Sequence, residues 1–246
     1  MAKRLRPLTD NTPKCLLNIG ERCLLQRSMD ALIQNGIHDF VIVTGYLHEM
    51  IEEFVTRQYG TSVSVTFINN EVFDSTNNIY SLWLARPEAD GEEILLLDSD
   101  LLYDPQIVSQ VLAQPADNVL TLICHPLGEE EMKVVTDQEG SIVEISKTCR
   151  PADAAGESLG IERMGKAYTT ALYKELDLMM NEQRFEPQPD GTVKDQRDIF
   201  YERAFEHLLA QGHTYRVLDV TQLFSCELDT IEDFETAKER IPAHLF

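Results

Sequence analysis

The sequence predicts an α/β fold organised on a doubly wound, Rossmann-like mixed sheet, mainly parallel, with helices on both faces. Three observations carry this. Helical and extended segments alternate from Leu24 to Ile68, the order that right-handed βαβ units produce. Two extended segments, Phe40-Val41-Ile42-Val43 and Ile94-Leu95-Leu96-Leu97, are apolar without alternation, the pattern of a strand covered on both faces of a parallel sheet. Finally, 246 residues of 43% hydrophobic content suffice for one large core, so a single domain over residues 1–246 is the simplest organisation.

The elements follow in chain order. Leu24, Leu25, Met29, Leu32 and Ile33 recur at helical spacing and Asn35-Gly36 stops that helix. The strand 38–44 ends at Gly45, and a second amphipathic helix over 47–59 presents Met50, Ile51, Phe54 and Val55. Residues 63–68 form a strand. Asn77 caps a short helix reaching Ala85. The apolar strand 93–98 ends in Asp98-Ser99-Asp100. A helix over 105–112 and a strand over 119–124 come next. Short strands between Met132 and Ile145 turn at Asp137-Gln138-Glu139-Gly140, a hairpin signal. The small, polar stretch 150–157 reads as a loop and 165–180 as a helix. Residues 185–195, with two prolines and several charges, read as another loop. A helix over 199–211 ends at Gly212, a strand follows over 215–220, and a last helix spans 231–240.

Composition narrows the function. The formal net charge of −21 argues against general binding to nucleic acid or to anionic membranes, and suits Mg²⁺ where carboxylates converge. No apolar run is long enough to span a bilayer and no signal peptide is visible, so a cytoplasmic location is expected. A homodimer is compatible with the sequence. Cys15, Cys23, Cys124, Cys149 and Cys226 form no C-x-x-C pair and read as reduced, mostly buried thiols.

Against this acidity, the first fourteen residues carry Lys3, Arg4, Arg6 and Lys14 with one acid, Asp10. Pro7 and Pro13 stiffen the backbone between them. Such a patch suits phosphate oxygens, to which arginine offers a fork and lysine a mobile point charge. Two acidic stretches could face it. Asp98 and Asp100 end a strand on one side, where open α/β sheets bind ligands and a hard cation takes oxygen donors; equally, they could cap the next element. In Cys226-Glu227-Leu228-Asp229-Thr230-Ile231-Glu232-Asp233-Phe234, Asp229 is either the N-cap of the last helix or a second metal ligand.

The segment Arg4 to Leu16, R-L-x-P-L-T-x-x-x-P-K-x-L, resembles the signature of the nucleotidyltransferases that activate sugar 1-phosphates or phosphocholine-type alcohols. The fold implied is the nucleotide-diphospho-sugar transferase type, with a nucleotide-binding half at 1–125 and an acceptor half at 126–246. Asn77-Asn78-Ile79-Tyr80-Ser81-Leu82 resembles the phosphocholine and aminoethylphosphonate cytidylyltransferase branch. The reaction so implied joins CTP to a small phosphorylated or phosphonylated alcohol amine, giving a CDP-linked product and pyrophosphate. Arg4 and Lys14 are the catalytic cations in this reading, with Lys3 beside them. Asp100 and Asp229 share Mg²⁺, and Glu227 matches the first acid of the E-I-D-T-x-E-D motif. Asn77, Asn78 and Ser81 face the pyrimidine or ribose, and Thr44-Gly45 matches a V-x-G-Y segment. Lys133 and Lys147 match lysines that face the acceptor phosphate, and Glu202 an acid that faces the acceptor amine. A sugar-1-phosphate enzyme using another nucleotide is one alternative, and a non-catalytic nucleotide binder a second. In the family a hydrophobic strand and a Gly-rich loop precede the signature, whereas this sequence opens Met1-Ala2-Lys3. The expectation is that Met1 is an internal loop methionine and that the in-frame DNA upstream encodes an apolar run ending in Ala-Gly.

Overall fold

The computed structural model describes residues 2–182, 184–187 and 192–245. The expectation about Met1 concerns a residue outside these. The chain forms two compact units: Met1–Glu71 with Asp98–Ala113 and Gln222–Phe246, and Val72–Leu97 with Gln114–Thr221. They are called the first and second unit below.

In the first unit, 3-10 turns at Lys3–Leu5 and Lys14–Leu16 precede the helix Leu24–Gln34. The Cys23 sulfur accepts from the Gln26 amide at that helix's start, and Gly36 follows its end at φ +84°. The strands Asp39–Thr44 and Ser64–Asn69 pair in parallel, joined by the helix His48–Tyr59, so the predicted βαβ unit is present. A short antiparallel pair, Leu101–Tyr103 with Ser225–Glu227, runs beside the helices. The core is Leu5, Leu17, Ile19, Leu24, Leu102, Leu228 and Phe234. It therefore draws on the start, middle and end of the sequence, and burial of those side chains holds the three pieces together.

The second unit is built on a mixed sheet in the order Arg216–Asp219, Val119–Ile123, Gly156–Met164, Lys133–Thr136, Ile142–Ser146, with Ile94–Leu97 also paired to Gly156–Met164. Arg216–Asp219 and Val119–Ile123 run parallel, and the remaining pairs are antiparallel. The α/β class and mixed sheet thus stand, with a larger antiparallel share than the apolar runs suggest. The cause is Gly156–Met164, a nine-residue strand that runs against three partners. It begins at the end of the stretch 150–157 that reads as a loop and continues through residues 158–164, to which the sequence assigns no element. Glu162 and Arg163 disguise it: both are buried, with Ser158 bonding Glu162 and the guanidinium of Arg163 donating to the carbonyls of Gln114 and Ala116. Gly160, at φ +79°, sits in the bulge of this strand.

Helices Lys166–Asp177 and Glu202–Ala210 cover the aromatic core of this unit, where Tyr168, Tyr201, Phe205 and Tyr215 stack. The first continues as a π-helical turn, Leu178–Glu182. The second starts at Glu202 rather than Ile199. The expected loop from Phe185 holds two short paired strands, Phe185–Pro187 and Val193–Asp195; its residues 188–191 lie outside the described residues.

The apolar runs identify strands correctly and overstate their burial. Val41 is 40% exposed, and all four residues of Ile94–Leu97 are half-buried, paired along one edge with Gly156–Met164. All five cysteines are free thiols, and Cys124 is exposed. Among the described residues no helix is long and apolar enough to cross a membrane.

Candidate active site

The first unit brings the two ends of the sequence to one point. The ladder pairing Tyr103 with Ser225 and Leu101 with Glu227 extends by one bond, from the Leu228 amide to the Asp100 carbonyl at 3.1 Å. This register sets Asp229 next to Asp100. The last helix takes its cap from Thr230, whose hydroxyl accepts from the Asp233 amide, while the Asp233 carboxylate accepts from the amides of Thr230 and Asp229. Of the two roles open to Asp229, capping therefore falls to its neighbour, and the Asp229 carboxylate is left to the site.

Lys14 reaches both acids. Its Nζ lies 2.9 Å from Asp100 Oδ2 and 2.8 Å from Asp229 Oδ1. Arg4 Nη2 lies 2.7 Å from Asp229 Oδ2. Lys14 is flanked by buried Pro13 and Cys15, and the Leu17 amide bonds back to the Lys14 carbonyl. The Lys14 side chain is only 15% exposed, whereas Arg4 is 69% exposed. Burial alone would lower the Lys14 pKa, but Asp100 and Asp229 outweigh it and raise it. Burial likewise pushes Asp229 up, and Lys14 and Arg4 more than reverse that, leaving it below the usual carboxylate range. Both stay charged at neutral pH.

A divalent cation suits this donor set. Magnesium takes one or two protein carboxylates and completes its shell with water and phosphate oxygens. Asp100 and Asp229 come from different parts of the sequence yet converge on a single cationic nitrogen, so both can reach one ion. Glu227 is exposed at the end of its strand, and among the described residues no group of three or more His, Cys, Asp or Glu is placed to hold a metal.

The other predicted residues of this unit lie on the same turns and strand ends. Lys3 is exposed on the same turn as Arg4. Thr44 is buried and its carbonyl accepts from the Asn70 amide. The Gly45 carbonyl accepts from the His48 amide, and the Tyr46 hydroxyl donates to the Asp10 carbonyl at 2.7 Å. The strand-ending segment thus fastens the basic loop.

In the second unit, Asn77 caps the helix Asn78–Leu84 through its own Oδ1. Asn78 Oδ1 accepts from the Tyr201 amide at 2.9 Å, tying that helix to the start of Glu202–Ala210. Ser81 lies half-buried on the same helix. Lys133 is 1% exposed and donates to the carbonyls of Glu129, Glu131 and Lys147, which makes it a tie between loops. Lys147 Nζ stands 4.5 Å above the centroid of the Phe200 ring. Glu202 is buried with Oε2 lacking a hydrogen-bond partner, and burial raises its pKa to about 7 despite nearby Lys147. Sequence reasoning missed Phe200, which is 41% exposed; its signal is an aromatic directly before Tyr201-Glu202. It also missed Asp195, gripped by Arg184 and Arg197 and held well below the usual range by their bonds, which outweigh burial.

Comparison with known proteins bears on this geometry. The nucleotidyl transferase family model matches residues 1–143. Choline-phosphate cytidylyltransferase of Streptococcus pneumoniae is 33% identical over 101 residues, 41% of this chain and 42% of that protein. CMP-5'-(3-aminopropyl)phosphonate synthase of Streptomyces rubellomurinus is 26% identical over 245 residues, 98% of this chain and 37% of that protein. The alignments thus span about two fifths of each relative's length. The solved structure of CTP:phosphocholine cytidylyltransferase from Streptococcus pneumoniae superposes with a TM-score of 0.76 at 18% identity, covering 98% of this chain and 95% of that one. This last likeness establishes the nucleotide-diphospho-sugar transferase fold.

Proposed function

Since the chain belongs to the nucleotidyl transferase family, we propose that it is a cytidylyltransferase, joining CTP to a small phosphorylated or phosphonylated alcohol amine with release of pyrophosphate. The observation that carries this is the convergence of Lys14 and Arg4 on Asp100 and Asp229. The preference for CTP rests on the Asn77–Leu82 segment and on what the similar proteins are named for.

Transfer of a nucleotidyl group asks the protein mainly for positioning and charge neutralisation. In this reading Arg4 and Lys14 bind the triphosphate and steady the pyrophosphate as it leaves. Asp100 and Asp229 hold Mg²⁺, which when bound polarises the phosphate under attack. The acceptor oxygen then meets the α-phosphorus in line. Within the second unit, Asn78 keeps the Phe200–Glu202 segment in place, and Phe200 with Glu202 can attract an ammonium: an aromatic face attracts cations, and a buried carboxylate gains a partner.

The test is pyrophosphate release with Mg²⁺ and each of CTP, UTP, dTTP and GTP, against phosphocholine and aminoethylphosphonate. CTP should lead, and Asp100→Asn and Asp229→Asn should each lose at least about a hundredfold in turnover. Near-normal turnover in either variant, or equal use of all four nucleotides, refutes the reading.

A further inference from the structure

We infer that Lys14 is a displaceable counter-ion: its ammonium keeps the Asp100–Asp229 pair neutralised until a divalent cation takes that place, and its departure frees it for the nucleotide's phosphates. The inference rests on the metal role proposed for the two aspartates. The geometry points to it because Lys14 Nζ makes close bonds to both carboxylates at once. Two carboxylates that converge repel one another unless a cation lies between them. Lys14 supplies that cation, and Arg4 adds a second positive charge on the far oxygen of Asp229.

The same ammonium cannot stay between the carboxylates and also pair with a phosphate at full strength. A lysine bound to two acids has its charge already spent. Lys14 therefore has two states: turned to the aspartates, or turned to phosphate with the aspartates satisfied by another cation. The mobile four-carbon stem permits the swing without moving the backbone. The backbone here is held by the buried neighbours Cys15 and Leu17. Two consequences follow. Lys14 competes with the metal when no nucleotide is present. When both are present, each favours the other, because cation uptake by the aspartates is what releases Lys14.

The experiment is a Mn²⁺ titration followed by electron paramagnetic resonance, without nucleotide and then with CTP, on the whole chain and on Lys14→Met and Arg4→Met. Without nucleotide, Lys14→Met should bind Mn²⁺ about tenfold more tightly or better, since a competing charge is gone. Arg4→Met should gain about two- to threefold, because exposed Arg4 touches one carboxylate only. Arg4→Met thus gauges the effect of a nearby charge that does not lie between the carboxylates, and should Lys14→Met fail to fold, Lys14→Gln, which keeps a polar tip without the charge, decides the matter in its place. Unchanged or weaker Mn²⁺ binding in the variants, with the unaltered chain binding Mn²⁺ in the presence of CTP, overturns the counter-ion inference and leaves the proposed activity standing. Failure of the unaltered chain to bind Mn²⁺ with or without CTP overturns both.

Discussion

Glu202 offers the sharpest quantitative test of the second unit. It is 8% exposed, its Oε2 has no hydrogen-bond partner, and burial lifts its pKa from 4.5 to about 7. For an acid raised in the folded state, the native protein holds the proton more tightly than the unfolded chain does. No penalty exists below the unfolded pKa; it grows as pH rises and is complete above about 7. At 1.36 kcal/mol per pH unit, the gap corresponds to about 3 kcal/mol. Glu202→Gln removes this titration and keeps the shape. Any fixed cost of the amide is the same at all pH values, so it cancels in the comparison. Relative to the unaltered chain, the variant should therefore gain about 3 kcal/mol between pH 4.5 and pH 8. Urea unfolding read by Trp83 suits the measurement, because this single tryptophan belongs to the second unit and its Nε1 is bonded to Asp177. A stability difference between variant and parent that does not move with pH refutes the reasoning. If Glu202 receives an acceptor ammonium, saturating phosphocholine should shrink the same pH effect, since the charged carboxylate then has a partner.

Other outcomes follow from single contacts. Gly156→Ala should cost about 3 kcal/mol or prevent folding, because an added Cβ would lie 2.5 Å from the Ile123 carbonyl oxygen; a normal melting temperature would contradict the pairing of those strands. Lys133→Met should cost about 2–3 kcal/mol by leaving buried carbonyls of Glu129, Glu131 and Lys147 without their donor, and Lys133→Arg should not restore it fully; chemical unfolding measures both. Thr230→Ala should lose about 1–2 kcal/mol with the capping box. It should also loosen Mn²⁺ binding, because the same box sets where Asp229 stands; unchanged metal affinity would separate the cap from the site.

How far the sequence reveals the protein depends on what a residue's role requires. The basic loop was legible because its function is its composition: four cations and two prolines near the start of an acidic protein. Asp100 and Asp229 were legible as candidates because each ends or precedes a patterned element. Their meeting was legible only through the family resemblance and not from local pattern, since it depends on a short ladder between Leu101–Tyr103 and Ser225–Glu227. Three-residue strands carry too little periodicity to be read. The role of Asp229 stayed open for a similar reason. Asp229 and Thr230 are both good caps, and only the reciprocal bonds of Thr230 and Asp233 assign the cap to one and release the other.

The acceptor side was harder to read, because there the sequence contradicts its own burial. Polarity usually reports exposure, yet Lys133, Glu162, Arg163 and Glu202 are all buried. Lys133 and Arg163 are tolerated where backbone carbonyls meet them. The carbonyls that meet Arg163 lie 49 and 47 residues away and one of those that meet Lys133 lies 14 away, where no local pattern identifies them. Gly156–Met164 shows the cost: with Glu162 and Arg163 buried in it, a central strand carries no readable apolar pattern. Glu202 differs from Lys133 and Arg163, since burial dominates its charge state and the nearby Lys147 only partly offsets it. A compensated buried charge stabilises the fold it sits in. An incompletely compensated one weakens it wherever pH ionises it, and a cation from outside the chain would relieve that loss. That asymmetry is why Glu202, rather than the better-satisfied Lys133, is the residue of this unit on which acceptor binding should act.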